Sequence, residues 1–208
     1  DSAELQLEHA NLVALEARFL QQSGVMIGVV KHLGEEDRTS VVLDVMTDEA
    51  IKTSQIEGEL LNRDSVQVSL RREFGLETEK RRVLPAERGI AEMMIDLYRG
   101  FADPLTEDVL SHWHRLVLSG RSDVEAVGRY REHEDAMQVV SGVLHKPTVH
   151  FEAPPSSAMA DEMARFLEWF AASGPAGTAP LPALTRSGLA HLYFVSIDPF
   201  EDGNGRIG

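Results

Sequence analysis

Apolar and polar positions alternate along most of the chain with the period of a helix. Leu5, Leu12, Leu15, Phe19 and Leu20 recur at near-helical spacing, which predicts an amphipathic helix over Leu5 to Gln22. Val41 to Leu60 predicts a second helical region, with Thr47 as its candidate N-cap, Asp48 and Glu49 in the first turn and Gly58 near the stop. Asp64 or Ser65 can cap a third helix that runs through Phe74 and ends at Gly75. Pro85 suits the first position of a fourth, which passes Ile90, Met94, Leu97 and Tyr98 to reach Gly100. Thr106, followed by Glu107 and Asp108, opens a fifth that ends near Gly120.

One region departs from that period. Met137 to Val140 and Thr148 to Phe151 are short β-prone runs around Ser141-Gly142 and Lys146-Pro147, and they predict a β-hairpin or extended flap. Pro154-Pro155-Ser156 then leads into a helix with Met159, Met163, Phe166, Leu167 and Phe170 on its apolar face. A Gly/Pro/Ala-rich loop, Ser173 to Pro182, separates it from an apolar helix over Ala183 to Ile197. The predicted class is all-α, a helical bundle with one small hairpin.

Composition changes this picture in two ways. The net charge is −14, from 20 basic and 34 acidic residues, so the surface as a whole repels phosphate backbones and nucleic acid is not expected as a partner. Any anionic ligand must be held by a local device. Cysteine is absent, which removes disulfides and thiolate metal sites and fits a reducing compartment, so cytoplasmic residence is expected. The longest apolar run, Gly24 to Val30, is too short to span a bilayer, and no membrane association is expected. With Asp1 in place of Met, the natural N-terminus is expected to lie upstream.

The local device is the last segment, Asp198-Pro-Phe-Glu-Asp-Gly-Asn-Gly-Arg-Ile-Gly208. Pro199 disfavours helical geometry at Asp198, so the preceding helix should stop there and deliver its end to a loop. Gly203, Asn204 and Gly205 tolerate unusual backbone angles, which lets successive N–H groups converge as an anion-binding nest, and a helix starting there would add its dipole. Arg206 supplies a cation suited to phosphate, and Asp202 a hard oxygen for Mg²⁺. A solvated Gly-Asn-Gly turn is the plain alternative. A calcium loop is rejected because Phe200 stands where an oxygen ligand is needed, and a Walker loop because no Gly-Lys-Ser/Thr follows.

This segment resembles the Fic-family signature His-Pro-Phe-x-Asp/Glu-Gly-Asn-Gly-Arg-x-x-Arg at Pro199, Phe200, Asp202, Gly203, Asn204, Gly205 and Arg206. Asp198 stands in the place of the histidine, and the second arginine would be the residue after Gly208, so continuation of the chain is expected. Upstream, Thr53-Ser54-Gln55-Ile56-Glu57-Gly58 is similar to the family's inhibitory motif Ser/Thr-x-x-x-Glu-Gly/Asn, and Gly128-Arg129-Tyr130-Arg131 resembles its middle region. The resemblance implies a Fic fold in two parts, an N-terminal helical region (1–75) with the inhibitory helix and a Fic core (76–208).

It also implies a reaction, the transfer of AMP from ATP to a hydroxyl of a protein target, which can be the enzyme itself. By resemblance Asp202 would hold Mg²⁺, Gly203, Asn204 and Gly205 would cradle the phosphates, and Arg206 would neutralise their charge. Gln138, Val139, Val140 and Ser141 in the flap would grip the target by strand addition. Thr53, Glu57 and Gly58 would form the inhibitory element, with Glu57 directed at the second arginine, and Glu57 could also take part in removing AMP. Self-association into a homo-oligomer is compatible with this class.

Asp198 takes the place of the catalytic base. Histidine suits that role with an unperturbed pKa of about 6.5, whereas a free aspartate titrates near about 3.9. General-base help is worth ~10²–10⁴-fold, so transfer is expected to be weak or absent while nucleotide binding persists. A laboratory substitution and natural divergence to a pseudoenzyme both fit. The competing classes are a nucleotide-holding Fic pseudoenzyme and a regulatory interaction module. His112 and His114, two apart, do not suit a shared metal, and a structural or surface role is expected. His145 and His150 are read as hairpin polar residues, His191 as a core histidine, and Trp113, Trp169 and the methionines as packing. Arg71, Arg72, Lys80, Arg81 and Arg82 read as a solvated basic face.

Overall fold

In the computed structural model, residues 2–143 and 146–208 are described; His145 and its reading as a hairpin residue lie outside them. Ser2–Lys31 forms α1, longer than the predicted segment because the apolar run after Gln22 meets no breaker strong enough to stop it. Glu35–Ile56 forms α2. Thr47 does not cap it. It lies buried in mid-helix, where its hydroxyl donates to the Leu43 carbonyl at 2.6 Å, because the helix begins twelve residues earlier behind Glu35, Glu36 and Asp37. Gly58 does end it, with φ +80°, a left-handed angle that a glycine adopts without strain.

Arg63–Glu73 forms α3, capped by Asn62 rather than by Asp64 or Ser65; its side-chain oxygen accepts from the Ser65 N–H at 3.0 Å. Pro85–Gly100 forms α4 and Glu107–Val117 forms α5, the latter capped by Thr106 as predicted. The hairpin comprises β1, Gln138–Val143, and β2, Lys146–Glu152, paired antiparallel with Gln138 opposite Glu152 and an irregularity between Val139 and Val140. After a 3-10 turn at Ser156–Ala158 come α6 (Met159–Ala172), α7 (Ala183–Ile197) and the four-residue α8 (Asn204–Ile207). None of the described helices is long and apolar enough to cross a membrane.

Two apolar clusters hold the bundle. The first joins Leu43, Met46 and Ala50 of α2, Val66 and Leu70 of α3, Ile90, Ala91, Met93, Met94 and Ile95 of α4, and Val117 of α5. The second joins Leu110 of α5, Met159, Met163 and Phe166 of α6, Phe194 and Ile197 of α7, and Phe200. Trp113 and Ile207 pack against both, so α5 and α8 form the seam between them, and the loop from Asp198 to Gly203 is set into that seam. A third link ties the chain's start to α7. The buried Glu16 carboxylate accepts from the Leu184 and Thr185 N–H groups at 3.0 to 3.3 Å, meeting the orphan donors and positive end of a helix whose own N-cap is Pro182. The basic face is tied to its own surroundings: Arg72 donates to Thr78 and to the Glu79 and Arg81 carbonyls, and Arg81 to Asp64 and Asn62.

Candidate active site

Helix α7 stops at Asp198, which adopts φ +52°, the one non-glycine residue with positive φ among those described. Pro199 cannot donate to the preceding turn and forbids helical geometry before it, so the chain leaves the axis at this residue. A left-handed aspartate is strained by itself and needs surrounding bonds to fix it. Arg131 supplies them. Its side chain, 2% exposed, donates to the Asp198 carbonyl at 2.7 Å, the Pro154 carbonyl at 2.5 Å, the Ile197 carbonyl at 3.4 Å and the Ser156 hydroxyl at 2.8 Å. Its backbone N–H donates to the Pro199 carbonyl at 2.9 Å. Burial pulls its pKa down, opposed by the nearby Asp198 charge.

Asn204 locks the loop from the other side. Its amide donates to Asp198 Oδ1 at 2.6 Å and to the Phe200 carbonyl at 2.8 Å, and its oxygen accepts from the Phe200 N–H at 2.9 Å. Phe200 is fully buried and stacks on His114, ring centroids 4.1 Å apart and 11° from parallel. His114 accepts from the Gly128 N–H at Nδ1, 2.8 Å, which leaves the proton on Nε2 for donation to the Asp202 carbonyl at 3.0 Å. Burial lowers its pKa below the ordinary 6.5, outweighing the upward pull of the bond to Asp202. Glu201 pins a neighbouring loop by accepting from the Glu125 and Ala126 N–H groups at 3.1 and 2.8 Å.

Three charged groups complete the turn. Asp202 stands at the edge and pairs with Arg121 at 3.0 Å, while its Oδ1 accepts from the Gly203 N–H at 2.5 Å. Arg121 is also held by Asp123 through two 2.7 Å bonds, which raise the guanidinium pKa and bring Asp123 down to about 2. Arg206 points inwards, buried, pairing with Glu59 and approaching the Val117 carbonyl at 3.3 Å and Asp202 at 3.7 Å. Gly203, at φ +84°, turns the chain into α8, whose first N–H groups are the orphans that any helix start leaves.

Glu57 arrives from α2, and a Cβ added to Gly205 would overlap its carboxylate. Glu57, Met137, His191, Val195, Asp198 and Glu201 to Gly205 line one cleft of about 430 Å³. Burial pushes the Asp198 carboxyl above the usual carboxylate range, against the opposing pull of Arg131 and His133. An apolar cavity of about 350 Å³ beside Trp113, Phe170 and Phe194 is separate from this chemistry.

The predicted residues therefore divide. Asp198, Asp202, Gly203, Asn204, Gly205 and Glu57 meet in the cleft, whereas Arg206 lies beneath the loop. Thr53 and Gly58 stay on the α2 end, where the Thr53 carbonyl accepts from the Glu57 N–H. Gln138, Val139, Val140 and Ser141 form β1 and do not line the cleft; Met137, just before them, does. His191 is exposed on the cleft wall rather than in the core, because α7 is covered on one side only. Its spacing of seven from Asp198 carried that information. Arg131, His114, Glu201 and Glu59 hold the site without having been singled out for it; only long-range contacts reveal them.

The sequence profile of the Fic/DOC family matches residues 104–208, half of the chain. The chain belongs to the Fic/DOC family. A domain of unknown function, DUF4172, matches residues 2–76. A Fic family protein from Desulfovibrio desulfuricans G20 is 25% identical, with a TM-score of 0.57; the match covers 92% of this chain and 54% of that one. A Fic domain containing signaling protein from Bacteroides thetaiotaomicron VPI-5482 is 21% identical at a TM-score of 0.64, over 90% of this chain and 68% of that one. Fic-1 from C. elegans is 22% identical at 0.55, over 94% and 55%. The last two show the Fic fold alone, and the chain spans about half the length of the first and third. No curated protein matches.

Proposed function

We propose that the chain binds Mg-ATP beside its Fic loop as part of an AMP transferase blocked by its own α2, with transfer weakened by Asp198. The observation that carries this reading is the Glu57 carboxylate over Gly205. A negative group from a distant helix sits at the backbone turn where a phosphate would be received, as an internal competitor would.

The residues suit a magnesium nucleotide. Asp202 offers a hard oxygen at the cleft edge, and Gly205 leaves a backbone cradle that a Cβ would fill. Among the described residues no three candidate ligands cluster, so Asp202 would hold an ion whose other ligands come from phosphates and water. When bound, that ion would neutralise phosphate charge. Gly203 to Gly205 would cradle the phosphates, and Arg206 would add its charge from below the loop. In the transfer, the target hydroxyl oxygen bonds to the α-phosphorus as pyrophosphate leaves, and the hydroxyl proton passes to the group at position 198. Burial raises the Asp198 carboxyl above a free aspartate and makes it the better base of the two, whereas a histidine has an unperturbed pKa of about 6.5 suited to that role. β1, with its exposed Val139 and Val140, would align a target strand, in keeping with a protein hydroxyl as acceptor. Cytoplasmic residence is proposed on the absence of cysteine. Asp198 favours one second reading, a Fic domain that holds nucleotide without transferring it.

Mg-ATP should raise the unfolding temperature of the Glu57→Gly protein more than that of the unaltered chain. The Asp198→His/Glu57→Gly variant should gain the mass of one AMP per modified site by intact-mass spectrometry. Nucleotide stabilisation without mass gain would leave the binding domain, and no stabilisation in either would refute both readings.

A further inference from the structure

Among the described residues no ion pair fixes Glu57; its carboxylate is carried to Gly205 by the backbone that closes α2. That backbone is pinned two residues on. Gly58 turns the chain at φ +80°, and the Glu59 N–H donates to the Ser54 carbonyl at 2.8 Å, so Glu59 is held against the last turn of α2. Its side chain then crosses to the Fic loop and pairs with Arg206, the residue next to Gly205. Arg206 has a side chain only 5% exposed, and the Val117 carbonyl fixes its orientation, so Glu59 grips an immobile cation. The two acids of Glu57-Gly58-Glu59 thus meet two consecutive residues of the loop.

We infer that Glu59 is a positioning residue whose ion pair with Arg206 latches the end of α2 to the Fic loop and seats the Glu57 carboxylate on Gly205. This rests on the reading of Glu57 as the inhibitory group. A buried guanidinium requires a charged or well-bonded partner, and Asp202, at 3.7 Å and itself engaged by Arg121, is the weaker of the two available. Opening the latch therefore leaves Arg206 short of negative charge, and the phosphates of an arriving nucleotide are the group that can replace it. Latch and nucleotide compete for one cation, so the end of α2 leaves as the ligand enters.

The test is a double-mutant cycle on Mg-ATP affinity, measured by calorimetry on the 208-residue chain with Glu59→Gln, Glu57→Gly and both together. Glu59→Gln keeps the side chain's size and removes its charge. It should tighten Mg-ATP binding by roughly fivefold or more, the lower end of ordinary coupling between sites, and clearly less once Glu57 is glycine, where only the competition for Arg206 remains. Equal tightening in both backgrounds would mean that Glu59 acts by occupying Arg206 and not by seating Glu57, which overturns the inference. Tightening by Glu57→Gly with none from Glu59→Gln also overturns it, while leaving Glu57 inhibitory. No effect of Glu57→Gly removes the inhibitory reading itself, and the latch with it. Amide exchange on the folded proteins gives a second readout that partial unfolding does not obscure. Exchange at Gly58 and Glu59 should quicken in Glu59→Gln while that of α4 stays fixed, and unchanged exchange at Gly58 and Glu59 overturns the latch.

Discussion

Arg131→Met tests whether the left-handed end of α7 is held by one buried guanidinium. Methionine nearly conserves the volume and removes every donor, leaving the Asp198, Pro154 and Ile197 carbonyls without that partner. A buried acceptor left unmet costs about 1–3 kcal/mol, so three give roughly 3–9 kcal/mol. Against this stands the relief of a buried charge that has no carboxylate within ion-pair range among the described residues, an offset of several kcal/mol. The net expectation is a loss of about 3 kcal/mol, which for a chain of this size lowers the unfolding midpoint by about 6–12 °C. Urea and thermal unfolding followed by circular dichroism measure it. Arg131→Lys should recover less than half, because an ammonium is a point donor and cannot serve acceptors spread around a planar fork. A loss under about 1 kcal/mol, or a gain, would show that the guanidinium's desolvation outweighs its bonds and that Asp198 holds its backbone without them.

Two further predictions concern protons. His114 has its pKa lowered by burial, so between that value and 6.5 the unfolded chain binds the proton and the folded one does not; stability is full above 6.5 and falls as pH drops below it. His114→Asn should flatten the slope of midpoint against pH between about 7 and 5, and an unchanged slope would place the titration elsewhere. Asp198 has the opposite sign. Its folded pKa is raised, so its contribution is full below the ordinary carboxylate value and is lost as pH rises through the folded one. Asp198→Asn keeps an oxygen to accept from the Asn204 amide and removes the charge, so it should raise the unfolding midpoint at pH 7 and not at pH 3; equal effects at both would argue against desolvation as the cause.

Local sequence determined much of this protein. Helical periodicity, Pro85 at a first helical position, Thr106 as a cap and Gly58, Gly75 and Gly120 as stops set the order of most helices, because these signals act within one turn of the residues that carry them. β-prone runs around Ser141-Gly142 gave the hairpin for the same reason. The family was legible in the final loop as well, since seven residues between Pro199 and Arg206 match the Fic signature in register. Where a second local signal competed, the reading slipped: Thr47 looks like a cap until the acids at 35 to 37 start the helix earlier, and Asn62 takes the cap from Asp64 and Ser65.

Tertiary structure alone decided who meets whom. Arg206 is a free-standing cation in the sequence, yet packing at the seam between the two clusters turns it under the loop to Glu59, 147 residues away. Glu57 lies on Gly205, Arg131 on the end of α7, and Glu16 on the start of the same helix, each across more than sixty positions. His191 faces the cleft because α7 is covered on one side only, a fact about neighbours and not about α7. Periodicity and capping are properties of a helix and its ends, written in adjacent residues, whereas the partner of a buried charge is fixed by which helices share a core.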